Sequence, residues 1–339
     1  MKLKKCAALL LVSSCLLTGC TTSSAKKVDS KYVVASLEKG NKTKNIFADN
    51  LYKDIIDNSS NNSTVFNAVL QNLVDQKFPV NDDMKEDAAT IIKQIKSAYK
   101  SNYGDNYKDS LNQALTSAGY KNLSEYRQRM IKQIQYANFL LDYIDDHFDD
   151  VFNDYYQQCA PKYVSLIKIS VSDTSSPTDN ETSKLNEVKE LISNTDKSFG
   201  DIAQDYSDDS TSSKKGSLGI VDSKDTSGIA NSYGKDVFNA IEALSEGQVS
   251  DVITGDDGYY FVKVTSTDKK TLKKELKKTD IDSPLLAYDD YLQYVVYNSY
   301  KINYKDKDIK KIVQEVVNKA LEERKDGCCS LYFFWTLEC

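Results

Sequence analysis

Two periodicities divide this chain at Pro161. On either side of a middle stretch, apolar residues recur at three- and four-residue steps, the spacing that gives an α-helix one buried stripe. The clearest stripe is Tyr126, Met130, Ile134, Ala137, Leu141 and Ile144, which predicts a helix over 124–147. Val65, Val69, Leu70, Leu73 and Val74 form a second, closed by Pro79, whose ring cannot continue a helix. A β-like run at 32–37 ends at the turn Lys39-Gly40-Asn41, and the Asn/Ser-rich 58–63 reads as a loop. Downstream, helices are expected at 284–299 and 308–324, the latter with Ile309, Ile312, Val313, Val316, Val317 and Leu321 in period.

The middle reads differently. Strands are expected at 163–171, 217–221, 249–254 and 259–266, and helices at 184–193, 199–206 and 236–244; the last two strands are joined by Gly255-Asp256-Asp257-Gly258. The order β-α-α-β-α-β-β describes a small α+β domain. The expected fold is therefore α+β, with this domain inserted between N- and C-terminal segments of one helical domain. The boundaries are 31–160 and 269–326 for the helical segments and 161–268 for the insert.

Residues 1–19 have a basic start (Lys2, Lys4, Lys5) and an apolar stretch over 6–17 that is too short to span a bilayer. They read as a cleaved secretion signal. Leu17-Thr18-Gly19-Cys20 resembles the bacterial lipobox, in which small residues fit the peptidase and the cysteine thiol takes the lipid. An ordinary signal with an incidental cysteine is the competing reading. The polar run 21–25 favours a tether, placed at 20–30, and so an exported protein held by Cys20 to the outer face of a bacterial membrane. Of seven cysteines, Cys6 and Cys15 leave with the signal and only Cys159 lies in the expected globular body, so no disulfide framework is expected. The apolar tail 327–339 stays open between a second anchor, a partner-binding tail and an untidy terminus.

Charge and histidine content exclude several functions. The net charge of −6 becomes −9 once the three lysines of the signal are gone, which disfavours nucleic acid, where affinity comes from neutralising phosphates. The one histidine, His147, lies among Asp145, Asp146, Asp149 and Asp150 at a helix end, so a solvated or capping role is expected and a site needing two imidazoles is excluded. No Cys-x-x-Cys, paired-histidine or EF-hand spacing occurs; no metal or cofactor is expected.

Four blocks in the middle stretch carry a resemblance: Phe199-Gly200-Asp201-Ile202-Ala203-Gln204-Asp205-Tyr206-Ser207-Asp208-Asp209, Gly216-Ser217-Leu218-Gly219, Leu244-Ser245-Glu246-Gly247-Gln248-Val249-Ser250 and Gly258-Tyr259-Tyr260-Phe261-Val262-Lys263-Val264. In order and spacing, residues 163–266 resemble a parvulin-type peptidyl-prolyl isomerase domain, and the whole chain resembles a PrsA-type foldase lipoprotein. The resemblance implies catalytic positions at Lys168, Asp209 and Tyr260. Two of them depart from the family: Lys168 and Tyr260 stand where parvulins carry histidines, while Asp209 keeps the family's Cys-or-Asp position. Ser217 replaces an acidic residue. The proline-holding wall maps to Leu218, Tyr233 and Val237, with Phe238 the one-residue alternative.

Isomerising an X-Pro bond breaks no covalent bond but must lose amide resonance, across a barrier of about 18–20 kcal/mol. A site helps by gripping the ring and favouring the twisted amide. Lys168 and Tyr260 are expected to donate hydrogen bonds to Asp209 or to a substrate carbonyl, although a strongly hydrated ammonium keeps a site wet. Two functions follow: a foldase for unfolded secreted polypeptides that isomerises their X-Pro bonds, or a non-catalytic holdase on a degenerate parvulin domain. The helical flanks, with scattered tyrosines, suit adaptable binding in either case and argue against the two α/β lobes of a solute-binding lipoprotein. A homodimer is left open.

Overall fold

A computed structural model describes residues 27–39, 42–194, 196–277 and 281–325. The expected signal segment, Cys20 and the tail 327–339 lie outside the described residues. The chain divides into two compact units, one of Asn81–Asp290 and one that joins 27–80 to 291–325. The expected helical segment 31–160 is thus itself divided at residue 81.

Along the second unit's N-terminal part, β1 (Lys27–Val28), β2 (Lys31–Lys39) and β3 (Lys42–Phe47) make an antiparallel sheet in that order, followed by α1 (Ala48–Ile56) and α2 (Asn62–Lys77). The expected loop at 58–63 is a 3-10 turn, Ser59–Asn61, running into α2, because the Asn58 side chain accepts from the Ser60 N–H at 3.0 Å and so starts a helix.

The first unit opens with α3 (Asp82–Tyr103), α4 (Tyr107–Ser117), α5 (Leu123–Asp146) and α6 (Phe148–Cys159). Asn81 and Asn122 cap α3 and α5 by accepting the N–H of Met84 and Glu125, both at 2.9 Å. His147 ends α5, its ring stacked 4.1 Å from that of Tyr143 and Nδ1 2.9 Å from the Tyr143 carbonyl.

After Pro161 come β4 (Lys162–Ser170), α7 (Asp179–Asn194), α8 (Phe199–Tyr206), a 3-10 turn (Ser210–Lys214), β5 (Ser217–Val221), α9 (Ile229–Tyr233), α10 (Lys235–Ala243), β6 (Ile253–Gly255) and β7 (Gly258–Ser266). The strands form one antiparallel sheet in the order β5-β4-β7-β6. Strand alternation explains its two cores. Val164, Leu166, Tyr260 and Val262 face α9 and α10, packing on Ile229, Val237 and Ile241; Ile167, Ile169 and Phe261 meet Leu185, Val188, Phe199 and Ile202 of α7 and α8. Covered on both faces, β4 and β7 read as nearly continuous apolar runs, and each buried aliphatic side chain contributes about 1.5–3 kcal/mol. The short helix α9 and the turn at 210–214 were not expected from periodicity, and the strand expected at 249–254 shrinks to β6 plus an isolated Val249–Lys263 bridge.

The unit closes with α11 (Lys269–Leu276) and a 3-10 turn, Pro284–Leu286. The helix expected over 284–299 is broken here. Tyr288 leaves the helical path to bury its ring edge-on to Tyr155, 5.3 Å away, with its hydroxyl donating to Asp154 at 3.0 Å. The second unit resumes with α12 (Leu292–Ser299) and α13 (Lys307–Lys325), and its core includes Phe66, whose ring lies 4.9 Å from that of Tyr294 and 5.1 Å from that of Tyr297.

Candidate functional site

The antiparallel register sets Lys168 on β4 directly opposite Tyr260 on β7, on the sheet face covered by α9 and α10. The loop that carries Asp209 is fastened to the same end of β4. The Lys168 N–H donates to Ser207 Oγ at 3.0 Å, the Asp208 N–H donates to the Lys168 carbonyl at 2.8 Å, and the Ser170 N–H donates to the Asp208 carboxylate at 2.9 Å. Lys184 from α7 pairs with the other Asp208 oxygen at 2.6 Å.

Asp209 is buried rather than on the surface. Its Oδ1 accepts the Thr211 N–H at 2.8 Å, capping the 3-10 turn, and the Tyr233 hydroxyl lies 3.5 Å from the same atom. The Thr211 hydroxyl beside it is buried with no hydrogen-bond partner among the described residues.

Lys168 and Tyr260 do not reach Asp209 as expected; both bond to Asp257. The Tyr260 hydroxyl donates to Asp257 Oδ1, and the Lys168 ammonium pairs with Oδ2 while sitting 5.5 Å over the Tyr260 ring. The physical reason lies in the hairpin. Gly255 pairs with Gly258, so Asp256 and Asp257 form a two-residue loop that folds back over the strand end. A side chain at Gly255 would meet the Tyr260 ring at 2.7 Å, so glycine there lets the ring lie across the hairpin. Sequence reasoning had Asp257 only as a turn residue. Its place three residues before Tyr260 was visible, but not the register that adds Lys168.

The Tyr233 and Tyr260 rings meet edge-on, 6.2 Å apart and at 78°. Burial pushes both phenols above their ordinary range; the charge of Asp209 and its hydrogen bond add to this at Tyr233, and the Asp257 bond and charge add to it at Tyr260. Both are therefore neutral hydrogen-bond donors at neutral pH.

Of the expected proline wall, Leu218 on β5, Tyr233 at the end of α9 and Phe238 on α10 are half-buried against the same core, whereas Val237 is buried within it. Between the two alternatives on α10, Phe238 is the one at the edge. Ser217 turns to Tyr163, donating to its hydroxyl at 2.9 Å and accepting the Gly219 N–H at 3.3 Å. The arrangement thus has two neutral phenols, two carboxylates, one ammonium and an apolar rim, and no group whose ordinary titration falls near neutrality.

Residues 166–266 match the family model of the Rotamase, PPIC-type PPIASE domain. The chain is 31% identical over 169 residues to the foldase protein PrsA of Staphylococcus aureus, covering 48% of this chain and 50% of that one. It is 35% identical over 136 residues to the foldase protein PrsA of Staphylococcus epidermidis, covering 38% and 39%. The chain thus spans half or less of the length of these curated relatives. The crystal structure of PrsA from Bacillus subtilis is similar over 83% of this chain and 98% of that one, at 21% identity and a TM-score of 0.39.

Proposed function

With residues 166–266 a parvulin-like, PPIC-type domain in a chain of PrsA type, we propose that the protein is an extracytoplasmic chaperone of unfolded secreted polypeptides whose parvulin-like domain binds X-Pro segments with little turnover. One observation carries the second half of that reading: Lys168 and Tyr260, at the two family histidine positions, are both engaged by Asp257, which leaves Asp209 with Tyr233 alone of the expected set. The carboxylate at the family's acid position therefore lacks the two partners that would tune it, and the ion pair at the rim keeps water at the site. Leu218, Tyr233 and Phe238 supply an apolar rim for a proline ring, with Ser217 beside it.

Attachment to the membrane by a lipid on Cys20, on the extracytoplasmic face of a bacterium, belongs to the same proposal and rests on the sequence 17–20. Among the described residues no helix is long and apolar enough to cross a membrane. Cys20→Ala should release or misprocess the protein; a variant still lipidated and membrane-bound removes the anchor from the proposal. The functional test is a protease-coupled X-Pro isomerisation assay on the chain lacking residues 1–20, scanning the residue before proline, alongside suppression of client aggregation. Aggregation suppression with a rate near the uncatalysed one is expected. A robust rate abolished by Asp209→Ala, with suppression lost in the same variant, overturns the reading.

A further inference from the structure

Eight large apolar side chains are exposed among the described residues, and seven of them fall between Val28 and Ile55. The sheet β1-β2-β3 is half-covered: Val33 and Phe47, paired across it, are partly buried, while Tyr32, Val34 and Ile46 are open to solvent. The helix α1 buries none of its residues, and Leu51, Tyr52 and Ile55 stand exposed on it. Tyr52 and Ile55 also wall an apolar groove of about 350 Å³, shared with Val65 and Val69 of α2 and Ile309 of α13. Scattered exposed apolar residues need no explanation, but a patch confined to one segment marks an interaction surface.

The same segment is basic in an acidic chain. Residues 26–56 hold seven lysines against four acids, while the whole chain carries −6. Lys27 lies 4.6 Å over the Tyr32 ring, and Lys31 lies near the Phe47 ring and 3.4 Å from Asp49, so the cations are interleaved with the aromatic groups. A second copy of the chain would bring the same lysine-rich segment, whose sequence is net positive, and this disfavours self-association through it. Tyrosine with lysine is the composition that settles in the headgroup layer of an anionic bilayer.

The start of the chain supplies the second argument, which rests on the lipobox reading. Only seven Cα–Cα steps lead from Cys20 to Lys27, where β1 begins. Even fully extended they reach about 25 Å, so a lipid on Cys20 keeps this unit close to the bilayer surface. Held that close, lysines near an anionic surface add about 1 kcal/mol each to the attachment.

We propose that the apolar face formed by β1, β2, β3 and α1, within this lysine-rich segment, rests on the anionic phospholipid surface of the membrane, as a contact additional to the lipid on Cys20. The probe is the chain lacking residues 1–20, which keeps every described residue, sedimented with vesicles of phosphatidylcholine containing about one-third phosphatidylglycerol, and with phosphatidylcholine alone. Binding to the anionic vesicles that weakens with salt is expected. Lys27→Glu/Lys53→Glu should weaken it by about fivefold or more per lysine lost, from about 1 kcal/mol for each basic residue near the surface. Tyr32→Ser/Val34→Ser should weaken it with the charge unchanged, and circular dichroism and melting of both variants check that they fold. Equal binding to both vesicle types, no binding, or a concentration-dependent dimer abolished by Tyr32→Ser/Val34→Ser would overturn the proposal. Mass spectrometry of the cell-derived full chain reports lipidation of Cys20 independently: a lipidated chain whose soluble form ignores vesicles fails here alone, and an unlipidated chain whose soluble form binds them loses the anchor alone.

Discussion

The hydroxyl of Tyr155 on α6 donates to the carboxylate of Asp222 at 2.8 Å, and both residues are fully buried although 67 positions apart. Asp222 also accepts from the Lys224 N–H at 3.0 Å and from the Thr226 hydroxyl, so it organises the loop after β5. Tyr155→Phe removes one donor from a buried carboxylate without opening a cavity, and should lower stability by about 1–3 kcal/mol. Urea denaturation of the variant measures this; a change within about 0.5 kcal/mol, the range of surface substitutions, would mean the bond is not formed.

The same bond sets a fragment experiment. Cutting at 161 removes Tyr155, the Cys159 carbonyl that accepts the Ser223 N–H at 2.9 Å, and the Tyr156 hydroxyl that donates to the Thr267 carbonyl at 3.0 Å. A fragment of 81–290, the limits of the compact unit, should therefore unfold cooperatively and at higher denaturant than a fragment of 161–268. Equal midpoints for the two would show that α6 adds nothing to the parvulin-like domain.

Asp209 gives a stability prediction distinct from its catalytic one. It is buried and caps the 3-10 turn through the Thr211 N–H, so Asp209→Ala should cost about 1 kcal/mol, as lost caps do. Aggregation suppression should stay unchanged, and isomerisation should fall by less than threefold if little turnover occurs at this site.

Much of the fold was legible because each signal was local. The stripe from Tyr126 to Ile144 places α5 within a residue or two at each end, and the apolar runs around Leu166 and Val262 mark strands covered on both faces. The break between Leu286 and Leu292 was not legible, because it comes from Tyr288 packing on Tyr155, far away in sequence. The site was half legible. Motif order located Lys168, Asp209 and Tyr260, but the partner of two of them depends on the β4–β7 register and the hairpin loop, which no periodicity reveals.

Alkaline pH should unfold the first unit. Tyr155 and Tyr260 are nearly inaccessible, and burial followed by the charges and hydrogen bonds of Asp222 and Asp257 holds their phenols above the ordinary value of 10. In the unfolded chain they ionise near pH 10, so between that pH and the folded values the native state binds more protons. Their contribution is complete below pH 10 and is lost as pH rises, at up to about 1.4 kcal/mol per pH unit for each residue. Denaturation midpoints measured from pH 8 to 11.5 should be flat to about 10 and then fall, and Tyr155→Phe should reduce the slope above 10. A slope identical in the variant would assign the alkaline loss to other groups.

The contest over Lys168 and Tyr260 can be decided at Asp257. Its side chain is largely exposed, so Asp257→Ala removes no core packing, but it takes the acceptor from the buried Tyr260 hydroxyl and the ion partner from Lys168, and folding stability should fall by about 1–3 kcal/mol. The freed phenol of Tyr260, kept neutral by burial, can then donate to a substrate carbonyl at the apolar rim beside Tyr233. One net hydrogen bond made only to the twisted amide is worth about 0.5–1.5 kcal/mol, so isomerisation should rise by roughly two- to tenfold. Asp257→Ala/Tyr260→Phe, which lacks the donor, should lose that gain while Asp257→Ala/Lys168→Met retains it. If the rate stays flat in Asp257→Ala, the hydroxyl of Tyr260 does not reach the bound peptide and Asp257 is not what holds turnover down.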